Sequence, residues 1–324
     1  MLRAMATVFL NGRFVAQDEA RVSAFDAGLQ HGVGLFETLL GGAREGEDGW
    51  AFRLDRHVER LIRSAQELGL SDQLRPGPLA NAVRLTIARS GLARARVRLT
   101  VTGGDLNLLG RTRDASAPQG AQPRPVVTPT LLIAAQPATE YPPEMFERGI
   151  TAVIADLRIN PLDPLAGHKT LNYWARLREL QSAAARHAGE ALVFQVTNHL
   201  AGGCVSNAFV VRDGRLLTPI ARGEEQGAPT ESGPAARHGV AMPSPVLPGI
   251  TRGWLADWAA QQGIEVARRM LTIDDVLSAD EVVLTNSSWG VLPVVRVEKE
   301  AIGGGAVGPL AARAREAWLG ATAP

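Results

Sequence analysis

A proline-bearing stretch at residues 136–143 divides the 324-residue chain into two parts whose patterning differs, so a single repeating layer is excluded. Before it, residues 7–15 carry Asn11-Gly12 between short apolar runs, the signature of a β-hairpin closed by a type I′ turn. Leu54, Val58, Leu61, Ile62, Ala65 and Leu68 recur at helical spacing up to Gly69, and a second helix is expected over 78–89 before Gly91. Strands are expected at 97–102 and 126–135, separated by a polar loop at 103–125 too long to be a simple connector. After the break the expected order is strand (151–159), helix (170–187) and strands (191–196, 205–211). A Pro/Gly-rich loop (222–245), a helix (251–262) and strands near 264–267, 281–285 and 291–297 complete the chain. The expected organisation is α+β: a small N-terminal domain (1–135), a linker (136–143) and a larger mixed domain (144–324).

Composition removes several function classes. No run reaches the roughly 18 apolar residues a membrane span requires, and the opening apolar stretch is broken by Asn11, Gly12 and Arg13. A soluble, cytoplasmic protein is expected. Cys204 is the sole cysteine, so no internal disulfide is possible. The formal net charge is +1, with arginines scattered among acids, which does not point to a nucleic-acid partner.

The charge balance hides a sharper fact: of 34 cationic residues only Lys169 and Lys299 are lysine. Lys299 lies in the polar run Val297-Glu298-Lys299-Glu300, a solvated surface position. Lys169 lies in the mostly uncharged stretch Leu165-Ala166-Gly167-His168-Lys169-Thr170-Leu171. An amine condenses with a carbonyl and a guanidinium does not, so a lysine doing such work resists replacement by arginine. Lys169 is therefore either a chemical residue or a chance survivor.

Three further segments could bind an anion. In Leu247-Pro248-Gly249-Ile250-Thr251-Arg252 a helix starts at or next to Thr251, where free amides and the helix dipole can hold a phosphate; the alternative is an ordinary threonine N-cap. Asn286-Ser287-Ser288 follows a strand and offers hydroxyls and amides, or is simply a turn. Arg60 is a phosphate ligand or a solvated helix charge.

The order of His57-Val58-Glu59-Arg60-Leu61, a lysine opening a helix, Ser206-Asn207-Ala208-Phe209, Leu247 to Arg252, and the Ser287-Ser288 cluster before Pro293-Val294 resembles the class IV aminotransferases. Gly32-Val33-Gly34-Leu35-Phe36-Glu37 looks like that family's Gly-x-Gly-x-Phe-Glu segment, and the resemblance runs from Phe9 to Val294. It implies the two-domain fold-type IV architecture, pyridoxal 5′-phosphate as cofactor, a homodimer, and an amino acid and a 2-oxo acid as substrates, with branched-chain substrates among the candidates. It makes Lys169 the covalent anchor of the cofactor and the proton shuttle. It places Arg60, Ile250, Thr251 and Ser287 in the phosphate cup and Tyr173 at the cofactor's phenolic oxygen. His31, Arg96 and Arg98 fall at substrate-contact positions; the two arginines also fit plain exposed strand positions. The family includes 4-amino-4-deoxychorismate lyase, and Asn160-Pro161 with Leu165-Ala166-Gly167 resembles elements of that enzyme.

One departure stands out. The family's glutamate at the pyridine nitrogen, five residues before the asparagine of its Asn-x-Phe, falls on Gly202, and residues 195–211 contain no acid. An unprotonated ring is a poorer electron sink, so the resemblance also allows a cofactor-binding homologue with weak or lost amino transfer.

Overall fold

The computed structural model describes residues 7–44, 48–105, 128–225 and 242–323. The chain forms two compact units. One comprises the described residues up to Ala138 together with Lys169–Asn172; the other comprises Thr139–His168 and Tyr173–Ala323.

The first unit is built on a six-stranded antiparallel sheet. Its strands are β1 (Thr7–Leu10), β2 (Arg13–Ala16), β3 (Gly34–Gly42), β4 (Trp50–Ala51), β5 (Ala95–Thr102) and β6 (Leu131–Pro137), in the order β2-β1-β6-β5-β3-β4. Asn11 and Gly12 have φ of 48° and 87°, as a type I′ turn between β1 and β2 demands. Along β5, Ala95, Val97, Leu99 and Val101 are buried while Arg96 and Arg98 occupy the other face, the period-2 pattern of a half-buried strand. Helices Leu54–Glu67 and Pro76–Ser90 cover the apolar face, with Val58, Leu61, Val83 and Ile87 against Leu35 and Val97. Each such side chain contributes about 1.5–3 kcal/mol by leaving water.

The second unit holds a nine-stranded mixed sheet. Its strands are β7 (Ile150–Ile159), β8 (Glu190–Gln195), β9 (Leu200–Gly203), β10 (Asn207–Arg212), β11 (Arg215–Thr218), β12 (Val266–Arg268), β13 (Glu281–Asn286), β14 (Gly290–Val297) and β15 (Glu300–Ala301). The path is β12-β11-β10-β13-β14-β7-β8-β9, with β15 on β14 and parallel pairs at β14–β7, β7–β8 and β11–β12. Every residue of β8 is buried, as expected of a strand covered on both faces. Helices Trp174–Ala185, Ile250–Gln261 and Pro309–Ala321 pack on this sheet. The last was not expected from the sequence, because alanines occupy much of its buried stripe (Leu310, Ala311, Ala314, Trp318).

Several expected boundaries move. The strand expected at 126–135 begins at Leu131, and the helix expected from residue 170 begins at Trp174. The central strand β3 was read only as a motif, and β9 and β11 were not foreseen. Most of the two expected loops, 106–125 and 226–241, lies outside the described residues.

Candidate active site

In the first unit, four consecutive residues of β3, Gly34–Glu37, gather the candidate residues. Leu171 donates its amide to the Gly34 carbonyl (3.0 Å), Thr170 bridges Leu35, and the Phe36 amide donates to the Lys169 carbonyl (3.0 Å). Residues 169–171 are thus paired against β3. A Cβ on Gly34 would meet the Val101 carbonyl at 2.6 Å and Leu171 Cδ1 at 2.7 Å, so this close approach requires glycine. The expectation that Lys169 opens a helix is corrected: it sits on extended, paired backbone, five residues before Trp174. Its Nζ lies 4.3 Å from the Phe36 ring centroid, and the Arg98 guanidinium carbon lies 3.5 Å from the same centroid. The structure therefore brings Lys169 and Arg98 together around one ring. Arg96 lies on the same face of β5, opposite Leu40.

Glu37 points to the other face of β3, into the layer covered by helix Leu54–Glu67. Its carboxylate accepts from Arg60 Nε (2.8 Å) and Nη2 (2.6 Å) and from His57 Nδ1 (2.7 Å). The Arg60 side chain is 10% exposed, so it is not a solvated helix charge. Burial alone would raise the Glu37 pKa, but the Arg60 charge and the His57 contact outweigh it and hold the carboxyl down to about 2, against 4.5 ordinarily. Burial also lowers the His57 pKa, against the pull of Glu37.

Both groups bind protons more readily when unfolded, so their contribution is present at neutral pH and lost on acidification. For His57 the loss begins near its ordinary 6.5, and for Glu37 it runs from 4.5 towards about 2. The Glu37 contribution is of order 3 kcal/mol. Unfolding free energies measured from pH 7 to pH 3 should fall more steeply in the wild type than in Glu37→Gln. Parallel curves would refute the linkage.

His31 is exposed at the end of the short helix Ala27–His31, closed by Gly32 at φ 68°. That helix is pinned by Asp26, which sequence reasoning missed: its carboxylate accepts from the Gly28 amide (2.7 Å), Thr102 Oγ1 (2.7 Å) and Thr130 Oγ1 (2.6 Å). The threonines lie 76 and 104 positions away, so no local signal marks the contact.

In the second unit, helix Ile250–Gln261 starts with Gly249 as N-cap and no side-chain cap bond. The ordinary threonine cap is thereby excluded: Thr251 is the second helical residue, 2% exposed, and its Oγ1 has no hydrogen-bond partner among the described residues. Helix-start amides, which have no partner within the helix, lie beside a buried hydroxyl without a partner among the described residues, and together they form a donor set that fits a phosphate. Gly249 is required by a close contact. A Cβ there would lie 1.8 Å from Asn207 Oδ1, so the glycine makes room for Asn207, whose Nδ2 donates to the Leu247 carbonyl (2.8 Å).

Ser287 is half-buried in a turn held by Asn286, whose Oδ1 accepts from the amides of Ser288 (2.9 Å) and Trp289 (3.0 Å). Tyr173 precedes helix Trp174–Ala185, and the Arg176 guanidinium carbon lies 5.9 Å from its ring centroid.

Gly202 has φ 138°, and a Cβ would meet the Ser206 carbonyl at 2.8 Å, so any L side chain there is strained. Residues 195–211 contain no acid, but one from outside that stretch comes close to this turn. Glu190 reaches it from β8, because β8 pairs with β9 and sets Leu192 opposite Gly203. Its buried carboxylate accepts from the amides of Ala191 (3.0 Å), Cys204 (3.2 Å) and Val205 (3.3 Å) and from Ser206 Oγ (2.9 Å). Burial pushes the Glu190 pKa up, and burial together with Glu190 pushes the Cys204 thiol to about 12, which rules it out as a nucleophile at neutral pH.

A profile of the amino-transferase class IV family matches residues 34–297, and the chain belongs to that family. It is similar to the D-alanine aminotransferase of Staphylococcus haemolyticus (28% identity, 97% of each chain). Among solved structures, the Escherichia coli branched-chain amino acid aminotransferase superposes with a TM-score of 0.80 at 26% identity, covering 98% of this chain and 94% of that one. A second branched-chain amino acid aminotransferase, solved with pyridoxamine 5′-phosphate, gives a TM-score of 0.80 at 27% identity with the same coverage. The Pseudomonas aeruginosa 4-amino-4-deoxychorismate lyase, at 24% identity and a TM-score of 0.74 over 97% and 98% of the two chains, shares the fold. The expected fold, enzyme class and pyridoxal-phosphate dependence stand with the family.

Proposed function

We propose that the chain moves an amino group from a small apolar amino acid, of the branched-chain or D-alanine type its relatives are named for, to a 2-oxo acid. The observation that carries this is Lys169, one of two lysines in the chain, held by β3 with its amine against Phe36. Bound there, pyridoxal 5′-phosphate supplies the electron sink for bond breaking at the substrate α-carbon. Lys169 Nζ anchors it covalently and carries the proton that leaves and returns to carbon. In the first unit Arg60, fixed in place by Glu37, and in the second unit the Ile250 and Thr251 amides, Thr251 Oγ1 and Ser287 are the groups that would hold a phosphate. Tyr173 would serve the phenolic oxygen, and Arg98, Arg96 and His31 would orient the substrate carboxylate.

A screen of 2-oxo acid acceptors with chiral product analysis tests the assignment; no amino transfer to any acceptor would overturn it. The solved lyase shows likeness of fold alone, while Asn160-Pro161 and Leu165-Ala166-Gly167 keep the lyase as the alternative, so the chorismate-derived amine belongs in the same screen.

Gly202 adds an expectation about rate. Position 202 offers no carboxylate, and Glu190 already serves four donors, so α-proton removal should limit turnover. An α-deuterated amino acid should show a primary isotope effect, and its absence would place the slow step elsewhere. Gly202→Glu is a poor test because the backbone there is strained for any L residue.

Thr251→Val separates fold from function. Removing an unsatisfied buried hydroxyl should leave the cofactor-free protein as stable or up to about 1–3 kcal/mol more stable. The same change should weaken cofactor binding. Thermal unfolding with and without cofactor reads both effects; a large loss in the cofactor-free protein would show that Oγ1 has a structural partner.

No helix among the described residues is long and apolar enough to cross a membrane. A cytoplasmic enzyme fits the lone buried cysteine. A homodimer fits the exposed Phe25 and Leu29 of the first unit and Trp174 (74% exposed) of the second. Sedimentation of wild type and Trp174→Asp tests it.

A further inference from the structure

The turn at Gly202–Asn207 grips both loops assigned to the phosphate. On one side Asn286 Nδ2 donates to the Val205 carbonyl (3.3 Å), and Asn286 Oδ1 shapes the turn containing Ser287. On the other side Asn207 Nδ2 donates to the Leu247 carbonyl (2.8 Å), ahead of the Gly249 cap and the Ile250–Thr251 amides. Arg176 Nη1 adds bonds to the carbonyls of Gly203 and Cys204 (3.2 Å each), tying the helix that follows Tyr173 to the same turn.

Backbone bonds of the turn run from the Gly203 amide to the Ser206 carbonyl (2.9 Å) and from the Cys204 amide to the Ala191 carbonyl (3.1 Å); side-chain support comes from Glu190. Gly202 and Gly203 supply no side chains, and three of its donors, the amides of Cys204 and Val205 and the Ser206 hydroxyl, converge on Glu190. A carboxylate accepts several donors at once, whereas an amide in its place would set an NH₂ against N–H groups. A Cβ on Gly203 would lie 2.2 Å from Ser206 Oγ and 2.8 Å from Glu190 Oε2, so glycine there leaves room for the Ser206–Glu190 hydrogen bond.

We infer that Glu190 is a positioning residue for the cofactor's phosphate: by fixing the Gly202–Asn207 turn it sets the spacing between the Ser287 turn and the Ile250–Thr251 helix start, without touching the cofactor. This rests on the phosphate assignment above. Glu190 is buried and far in sequence from either loop, and the path runs through named contacts: Glu190 to Val205 to Asn286 to Ser287, and Glu190 to Ser206 to Asn207 to Leu247. Loss of the carboxylate lets the two loops drift independently, which weakens recognition of a dianion that must meet both.

The test compares pyridoxal 5′-phosphate with pyridoxal, which lacks the phosphate, on the full-length cofactor-free protein. Dissociation constants are read from the absorbance change. The rise in unfolding temperature with inorganic phosphate is a second readout that does not use the lysine. Glu190→Gln should cut the affinity advantage of the phosphorylated compound about tenfold, the equivalent of one hydrogen bond, while pyridoxal binds as before. Asn286→Ala should act in the same direction, and the double variant should lose less than the product of the single losses, because both act through Val205.

A Glu190→Gln protein that binds both compounds equally less well, or keeps the wild-type ratio, overturns the inference. If Glu190→Gln does not fold, Ser206→Ala and Asn286→Ala decide: an unchanged ratio in both overturns it as well. Failure of the underlying phosphate assignment looks different, because the wild type itself would then show no phosphate advantage and no response to Thr251→Val.

Discussion

Lys169→Arg should yield a folded protein that has lost covalent cofactor attachment and at least about 10²- to 10⁴-fold of its amino-transfer rate, the range over which a positioned proton-transfer group acts. Arginine keeps a cation for the Phe36 ring, where Lys169 Nζ lies 4.3 Å from the centroid, so stability should change little. The guanidinium neither condenses with an aldehyde nor gives up a proton at neutral pH. Absorbance of the purified variant and steady-state kinetics check both statements. An arginine variant with wild-type turnover would remove Lys169 from the mechanism.

The second large effect is expected at Arg60. Arg60→Ala leaves Glu37, 1% exposed, with His57 as its one side-chain partner among the described residues, and breaking a buried pair in this way typically costs about 3–5 kcal/mol. Glu37 should then take up a proton at higher pH and His57 should follow the changed charge. Cofactor affinity should fall in addition, by about ten- to a hundredfold for one charge-assisted contact. Arg60→Lys should recover part of the stability but little of the affinity, because an ammonium cannot make the two-pronged contact with Glu37 that aims the side chain. Urea unfolding of the cofactor-free variants isolates the first effect and equilibrium dialysis the second. A loss below about 0.5 kcal/mol would show that the Glu37 cluster does not hold the helix to the sheet.

What could be read from the sequence was what depends on neighbours in sequence. Asn11-Gly12 specified its turn, the Leu54 to Leu68 spacing specified a helix, and the near absence of lysine singled out Lys169. Contacts made by topology were not legible. Thr170-Leu171-Asn172-Tyr173 resembles the start of a helix, but pairing with β3 captures the first residues and delays the helix to Trp174. Glu37 meets Arg60 across 23 positions, and Glu190 meets Cys204 across 14, because sheet and helix bring them together. A search for acids confined to residues 195–211 could not find Glu190. The need for glycine at 249 was equally hidden, because the atom it accommodates, Asn207 Oδ1, comes from β10.

Borohydride reduction of the cofactor-loaded protein followed by peptide mapping tests the central assignment most directly. The chain contains two lysines, so the map has few possible outcomes. The account predicts one pyridoxyl group per chain, on the peptide carrying Lys169. A stable adduct on Lys299, or a protein that binds the cofactor and carries no adduct after reduction, would contradict it.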